Sequence, residues 1–225
     1  MSNPSRRAGG RQTLPRPLRW RELAHAPWSR LDLSALGDLN AIERALQNHL
    51  PDPELQRPPT HAHPSAVLVL LFAAADGPRV LLTRRSESLD SHKGQIAFPG
   101  GRLEVGESSL AAAMRETREE IGIDAAQARV IGELPAHRLI SGSSHIVPHV
   151  VRLPAEPQHF ALNSEVDRVF SVALGELVRP DTFVQEHWVF QDREVVVPMF
   201  YLDDETIWGA TARMLQELIL LAVAR

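Results

Sequence analysis

The chain has 225 residues, of which 44% are hydrophobic and 23% charged, and its formal net charge is −4. This composition is ordinary for a globular protein and excludes a chain that is disordered throughout. The absence of cysteine excludes a disulfide scaffold, thiolate metal sites and a cysteine nucleophile. The acidic balance argues against a nucleic-acid partner, and the longest apolar run is too short to span a bilayer. We therefore expect a cytoplasmic protein with one sizeable core and no membrane partner.

The N-terminal part is predicted to lie outside the main domain. Residues 1–21 are rich in arginine and contain no acid, with glycine and proline interleaved. This composition predicts a disordered basic tail, and an organelle transit peptide is the alternative. Residues 38–50 carry one apolar stripe and predict a helix, whereas the prolines of residues 51–64 predict a linker. Residues 22–64 are therefore expected to form a helical extension and a proline-rich linker.

The compact domain is predicted to comprise residues 65–225. It mixes apolar strand-like runs with amphipathic helical runs but does not alternate them strictly, which predicts an α/β fold with a mixed sheet and helices on its faces. Gly122 suits the position that ends the first of these helices. The predicted strands are residues 66–74, 80–83, 128–134, 145–153, 187–190 and 193–200, and the predicted helices are residues 108–121 and 208–224.

The helix over residues 108–121 carries an unusual group of acids. Glu116, Glu119 and Glu120 are spaced so that their carboxylates share one face, where like charges repel. They also lie toward the C-terminal end, where the helix dipole disfavours anions. A hard divalent cation would remove both penalties, because Mg²⁺ and Mn²⁺ prefer carboxylate oxygens. The alternative is a solvated charged face in which Arg115 and Arg118 offset the acids.

A glycine-containing loop precedes this helix. Phe98-Pro99-Gly100-Gly101 places small residues where a backbone can approach a ligand closely. Glu107 lies just before the helix and could pair with Arg115, which would tie the loop to the helix. Such a loop beside a helix that carries carboxylates is typical of a site for a metal ion and a diphosphate.

The region from Gly101 to Ile123 resembles the Nudix box, the motif of the Nudix hydrolase family. Every fixed position matches, and only the aliphatic position is relaxed, to Thr117. The resemblance implies a Nudix-type α/β/α sandwich, preceded here by the N-terminal extension. It implies a small nucleotide substrate, a nucleoside diphosphate linked to another group, and Mg²⁺ or Mn²⁺ as cofactor. It also assigns the metal ligands and catalytic carboxylates to Glu116, Glu119 and Glu120, with structural support from Glu107 and Arg115.

A second resemblance is to the coenzyme A pyrophosphatase branch of that family. The matching segments are Leu81–Ser86, Gly94-Gln95, Phe98–Gly101, Ser141-Gly142, Pro148, Asn163, Glu165-Val166 and Ile207–Arg213. It assigns substrate binding to Thr83, Arg85, Ser86, Gly94, Gln95, Phe98, Gly100 and Gly101.

The chemistry of this upstream segment suits a phosphate. Arg85 could make a two-pronged contact with a phosphate, and Thr83 and Ser86 could donate hydrogen bonds to it. Arg84 is expected on the opposite face of the same strand. The chain departs from the branch at Asp90, where the branch usually has an arginine, so that repulsion of a phosphate would replace attraction.

The implied mechanism is metal-assisted hydrolysis, in which a carboxylate takes the proton of the attacking water. Glu116 and Glu165 are the two candidates for this base. Coenzyme A would give 4′-phosphopantetheine and adenosine 3′,5′-bisphosphate. The alternatives are a Nudix pyrophosphatase for another nucleotide, such as a nucleotide sugar, a dinucleoside polyphosphate or a damaged nucleotide, and a Nudix-fold module that binds a nucleotide without hydrolysing it. We expect a monomer or a homodimer.

Overall fold

A computed structural model of the chain describes residues 6–138, 144–191 and 193–224. The Ser141-Gly142 motif lies outside them. Among these residues no helix is both long enough and apolar enough to cross a membrane. The helices are α1 (Leu39–Gln47), α2 (Pro53–Gln56), α3 (Ser109–Ile121), α4 (Leu174–Leu177) and α5 (Gly209–Val223). The strands are β1 (Arg19–Glu22), β2 (His63–Ala74), β3 (Gly77–Arg85), β4 (Ile96–Ala97), β5 (Gly100–Arg102), β6 (Arg129–Glu133), β7 (His137–Arg138), β8 (Ser144–Arg152), β9 (Val166–Ala173), β10 (Phe183–Val189), β11 (Glu194–Tyr201) and β12 (Thr206–Ile207).

These strands form two sheets. The larger sheet has the order β4-β3-β2-β8-β6, with β9 paired to β3, β5 paired to β2 and β7 paired to β8. It is mixed, since β2 and β8 run parallel while β2 and β3 form an antiparallel pair. The smaller sheet has the order β1-β10-β11-β12 and its pairs are antiparallel.

Strand β2 is buried on both faces at the centre of the larger sheet. Ala66 and Leu68 share an apolar cluster with Ile121 of α3. Val69 and Leu71 belong to a second cluster, which contains residues of α1 and α5. Because successive side chains of a strand point to opposite faces, one apolar run supplies both cores. The predicted α/β/α arrangement with a mixed sheet and helices on its faces is therefore confirmed.

Helix α3 has clear start and stop signals. The Ser108 side chain accepts a hydrogen bond from the backbone N–H of Ala111 at 3.2 Å, which caps the helix. Gly122 ends it in the left-handed conformation, with φ of 75°. The predicted helix is thus present with the predicted ends, and its carboxylates face the loop that precedes it.

The N-terminal extension contributes to the same core. Ile42 and Leu46 of α1 are buried together with Trp28, and they share a cluster with residues of α5. The buried carboxylate of Glu43 accepts a hydrogen bond from Arg152 of β8 at 2.9 Å. Helix α1 is therefore joined to the larger sheet by both apolar packing and an ion pair.

The basic N-terminal segment differs from the predicted disordered tail. From Arg6 onward it follows the smaller sheet, and residues 19–22 form its edge strand β1. Arg7 donates to Asp203 at 2.8 Å, and Arg16 donates to the buried carboxylate of Glu186 at 2.8 Å. Acids that lie far along the chain neutralise these arginines, and the structure places the described residues of this segment against the smaller sheet, where the composition predicts disorder.

The proline-rich segment also departs from its prediction as an irregular linker. It contains the short helix α2, which Asp52 caps by accepting from the N–H of Glu54 at 2.9 Å. Pro53 occupies the start of the helix, where its missing N–H costs nothing. Strand β2 then begins at His63, inside the predicted linker. Proline therefore marks element starts here and does not exclude regular structure.

Candidate active site

The central feature of the candidate site is the buried carboxyl group of Glu120. Its Oε2 accepts a hydrogen bond from the backbone N–H of Gly100 at 3.1 Å. Burial raises the pKa of Glu120 to about 7, and the negative charges of Glu116 and Glu165 act in the same direction. The hydrogen bond from Gly100 and the positive charge of Arg85 oppose this shift. The site therefore holds a carboxylate whose charge is only partly compensated.

Glu116 lies one helical turn earlier, against the same loop. A Cβ atom on Gly101 would come within 2.5 Å of the Glu116 carboxylate. A side chain at position 101 would therefore require the Glu116 carboxylate to move. Glu116 and Glu120 both meet this loop, whereas Glu119 is about half exposed.

Arg115 joins the loop to the helix. Its Nε and Nη2 donate to the two oxygens of Glu107 at 3.0 and 3.1 Å, and its Nη1 donates to Glu116 at 3.0 Å and to Glu119 at 3.2 Å. The guanidinium also donates to the carbonyl of Arg102 at 3.1 Å. Its hydrogen bonds hold the pKa of Glu107 below the usual range. This ion-pair network fixes the loop and partly neutralises the acids on α3.

Arg85 reaches the site from the end of β3. Its Nη2 lies 3.9 Å from Oε2 of Glu165, and its positive charge acts on Glu120. Its Nε is buried, with no hydrogen-bond partner among the described residues. The neighbouring Arg84 instead pairs with the buried carboxylate of Glu205 at 3.1 Å, so the two arginines have different partners, as the strand geometry predicts.

Glu165 and the loop around Gln95 complete this side of the site. The backbone carbonyl of Glu165 accepts from the N–H of Ser86 at 2.8 Å, while its half-exposed carboxylate stays beside Arg85. The N–H of Arg85 donates to the carbonyl of Gln95 at 3.0 Å, and the N–H of Gly94 donates to the carbonyl of Arg85 at 3.1 Å. The segment over residues 86–95 is thus a loop closed at the base of Arg85.

Three residues assigned to substrate binding have other contacts. The Thr83 hydroxyl is buried and donates to the carbonyl of Ala97 at 3.2 Å. The Ser86 hydroxyl is buried and bonds to Ser88 Oγ at 2.9 Å. Phe98 is 4% exposed and packs in the core cluster. Strand register and packing engage these three side chains in this structure, and their assignment to substrate binding stays a prediction.

The carboxylates of α3 lie near one another but, among the described residues, do not form a complete metal-binding site. Within the described ranges no three acidic or imidazole side chains are close enough together to enclose a metal ion. Glu116 and Glu119 point to Arg115, whereas Glu120 points to the loop. The group that donates to Glu120 is the backbone N–H of Gly100. No side chain marks this role in the sequence, so it was not predicted. The structure brings the buried Glu120 and the half-buried Glu165 close to Arg85, on one side of the loop.

Because the pKa of Glu120 is raised, the contribution of this group to stability should fall as the pH rises. The unfolded carboxyl releases its proton near 4.5 and the folded one near 7. Between these values the folded carboxyl binds more protons, so we expect Glu120 by itself to lower the unfolding free energy of metal-free protein by about 3 kcal/mol across this range, seen as the difference between wild type and a variant without this carboxyl. Urea unfolding in EDTA at several pH values measures this loss.

The matched variants for this measurement are Glu120→Gln and Glu104→Gln. Glu120→Gln has no titrating group at the buried position and should flatten the pH dependence. Glu104 is exposed, so its variant should keep the wild-type dependence. Equal pH dependence in wild type and Glu120→Gln would show that the buried carboxyl does not carry this effect.

Comparisons with known proteins identify the family of this chain. A family model described as the NUDIX domain matches residues 62–193. The Nudix hydrolase NudL of Yersinia pestis is 33% identical over 191 residues, which cover 80% of this chain and 92% of NudL. NudL of Yersinia pseudotuberculosis matches with the same identity and coverage.

Two solved structures of Nudix proteins are also similar to this chain at low identity. A MutT/nudix family protein from Enterococcus faecalis has a TM-score of 0.47 at 18% identity and covers 80% of this chain and 71% of its own. The NUDIX domain of Shewanella oneidensis NrtR, solved with ADP-ribose, has a TM-score of 0.43 at 20% identity, with 60% of this chain and 84% of its own covered. Nudix hydrolases generally use divalent ions such as Mg²⁺ or Mn²⁺. The family match and the NudL relatives together establish that this chain belongs to the Nudix family and is a pyrophosphohydrolase that acts on phosphoanhydrides.

Proposed function

We propose that this Nudix hydrolase cleaves the diphosphate of coenzyme A or an acyl-coenzyme A. The products would be 4′-phosphopantetheine, or its acyl form, and adenosine 3′,5′-bisphosphate. The observation that carries the proposal is the Arg85 guanidinium, which is close to Glu165 and Glu120 and has a buried Nε without a hydrogen-bond partner among the described residues. Arg85 lies within the segment that resembles the coenzyme A pyrophosphatase branch.

The acids of α3 suit a divalent cation as cofactor. Glu116, Glu119 and Glu120 offer hard oxygen ligands, and within the described part of the chain the N–H of Gly100 donates to one oxygen of the buried Glu120 carboxyl. Gly101 leaves space at the Glu116 carboxylate that a larger residue would fill. These residues would hold Mg²⁺ or Mn²⁺. When bound, the ion supplies charge that neutralises the diphosphate and lowers the pKa of a water molecule.

The remaining roles fall to residues of this chain. The Arg85 side chain is about a quarter exposed, and its guanidinium binds a phosphate and thereby orients the diphosphate beside α3. Glu165 is half exposed and suits the role of the base that takes the proton of the attacking water, with Glu116 as the other candidate. The ion pair between Arg115 and Glu107 fixes the position of the loop relative to α3, which keeps the acids of α3 beside the loop.

A second candidate is a pyrophosphatase for another nucleotide. Asp90 favours it, because this exposed acid lies in the 86–95 loop, where it would repel a further phosphate of the substrate. ADP-ribose, nucleotide sugars and dinucleoside polyphosphates carry a diphosphate but no 3′-phosphate. The two candidates share the catalytic residues and differ in what the loop accepts.

The substrate is tested by incubating the purified chain with Mg²⁺ and a panel of nucleotides, and by measuring the masses of the products. The panel contains coenzyme A, an acyl-coenzyme A, ADP-ribose and a dinucleoside polyphosphate. We expect coenzyme A or its ester to give adenosine 3′,5′-bisphosphate at the highest kcat/KM. Preferential cleavage of ADP-ribose or a dinucleotide would reject coenzyme A in favour of the second candidate.

Removal of one carboxylate from α3 tests the catalytic assignment. Glu119→Gln and Glu120→Gln should each lower kcat by roughly a hundredfold or more, because charge stabilisation at the reacting diphosphate is lost. Their circular dichroism should remain close to that of wild type, since both substitutions conserve side-chain shape. Glu104→Gln serves as the control for charge alone and should keep its turnover. Near-normal turnover in the double variant would reject the role of these acids.

A further inference from the structure

The N-terminal segment over residues 6–16 runs along the smaller sheet toward the 86–95 loop. The N–H of Gly9 donates to the carbonyl of Leu202 at 2.7 Å, and the N–H of Gly10 donates to Thr206 Oγ1 at 3.0 Å. Arg7 binds both carboxylate oxygens of Asp203 at 2.8 and 2.6 Å. The segment is therefore attached by backbone bonds as well as by an ion pair.

Gln12 lies where this segment meets three other parts of the chain. Its Oε1 accepts from the N–H of Thr206 at 3.0 Å. Its Nε2 donates to Oε2 of Glu205 and also to the carbonyl of Gly94 at 3.3 Å. One amide side chain therefore contacts β12, the turn before β12 and the end of the 86–95 loop.

Glu205 is the acceptor that these contacts share with two arginines of the larger sheet. Its carboxylate is fully buried and accepts from Arg84 of β3 at 3.1 Å and from Arg168 of β9 at 2.9 Å. Gln12 supplies a donor to the other oxygen. Because a buried carboxylate is costly unless its oxygens are hydrogen-bonded, these donors hold one another in place. Arg84 is next to Arg85, so the network reaches the strand that carries the candidate phosphate-binding arginine.

The loop that Gln12 contacts needs support. His92 has a positive φ of 58°, which is uncommon for a residue other than glycine. The intervening residues are largely exposed, and the loop closes through the backbone bonds between Arg85 and Gly94 or Gln95. Gln12 holds the Gly94 carbonyl from outside, directly beside this closure.

We propose that Gln12 is a positioning residue for substrate binding, and that the N-terminal segment holds the 86–95 loop and Arg85 in their binding conformation. The inference rests on the proposed role of Arg85. Helix α3, which carries the acids, packs through Ala113 and Ile121 in a different apolar cluster, on the face of β2 that Leu68 occupies. Loss of Gln12 should therefore weaken substrate binding and leave the chemical step intact.

The test compares Gln12→Ala and Gln12→Glu with Thr13→Ala in the full chain. Glutamate keeps the shape of glutamine but cannot donate to Glu205 or Gly94. Thr13 is exposed on the same segment and serves as the matched control. For the nucleotide that the wild type hydrolyses best, we expect KM to rise about threefold to tenfold in both Gln12 variants, the range given by the loss of one hydrogen bond, with kcat within about twofold. Thr13→Ala should match the wild type.

Hydrogen exchange without substrate gives a readout that does not depend on activity. The amides of Arg85, Gly94 and Gln95 should exchange faster in the Gln12 variants than in wild type and Thr13→Ala, because their closing bonds open more often. Unchanged exchange together with unchanged KM would overturn the proposal, as would an equal loss of kcat with KM unchanged. If the wild type hydrolyses no nucleotide, the proposed function fails, and the exchange data still decide whether Gln12 orders the loop.

Discussion

The site depends on the burial of one carboxyl group beneath the loop that precedes α3. The backbone N–H of Gly100 donates to Glu120, and Glu116 lies against Gly101. An uncompensated acid in a low-dielectric position raises the free energy of the metal-free protein. A divalent cation would relieve that cost. The loop, the Arg115 network and the position of α3 all serve to keep these oxygens together.

The two faces of β2 pack against different helices. One face carries α3 and its acids, while the other packs against α1 and α5. The substrate loop extends from the end of β3 and is supported from the smaller sheet through Glu205 and Gln12. Under the proposed roles, the catalytic acids and the substrate-binding loop are supported by different parts of the core, which is why the proposed contribution of the N-terminal segment acts on binding.

Local signals made α3 and its loop predictable from the sequence. Ser108 and Gly122 mark the ends of the helix, and the spacing of the glutamates puts them on one face. The apolar run at β2 likewise predicts a strand buried on both faces. Strand β9 was not predicted, because Asp167 and Arg168 interrupt its apolar pattern. The helix caps, the glutamate spacing and the apolar patterns of β2 and β9 are all local features, which can be read from short stretches of sequence.

Contacts between distant residues could not be predicted in this way. The acids that neutralise Arg7 and Arg16 lie at Glu176, Asp203 and Glu186, so the basic segment alone resembled a disordered tail. The inward direction of Thr83 follows from strand register, which composition does not reveal. Sequence motifs identified the residue types of the site, whereas tertiary packing decided which of them face it.

The most direct test of the central claim is the binding of Mn²⁺ to the purified protein, followed by the electron paramagnetic resonance signal of the free ion. We expect saturable binding by the wild type and an affinity lower by about tenfold or more in Glu120→Gln. Glu104→Gln should bind as the wild type does. Absence of binding to the wild type with and without nucleotide, or equal binding by Glu120→Gln, would contradict the claim that the acids of α3 hold a divalent cation.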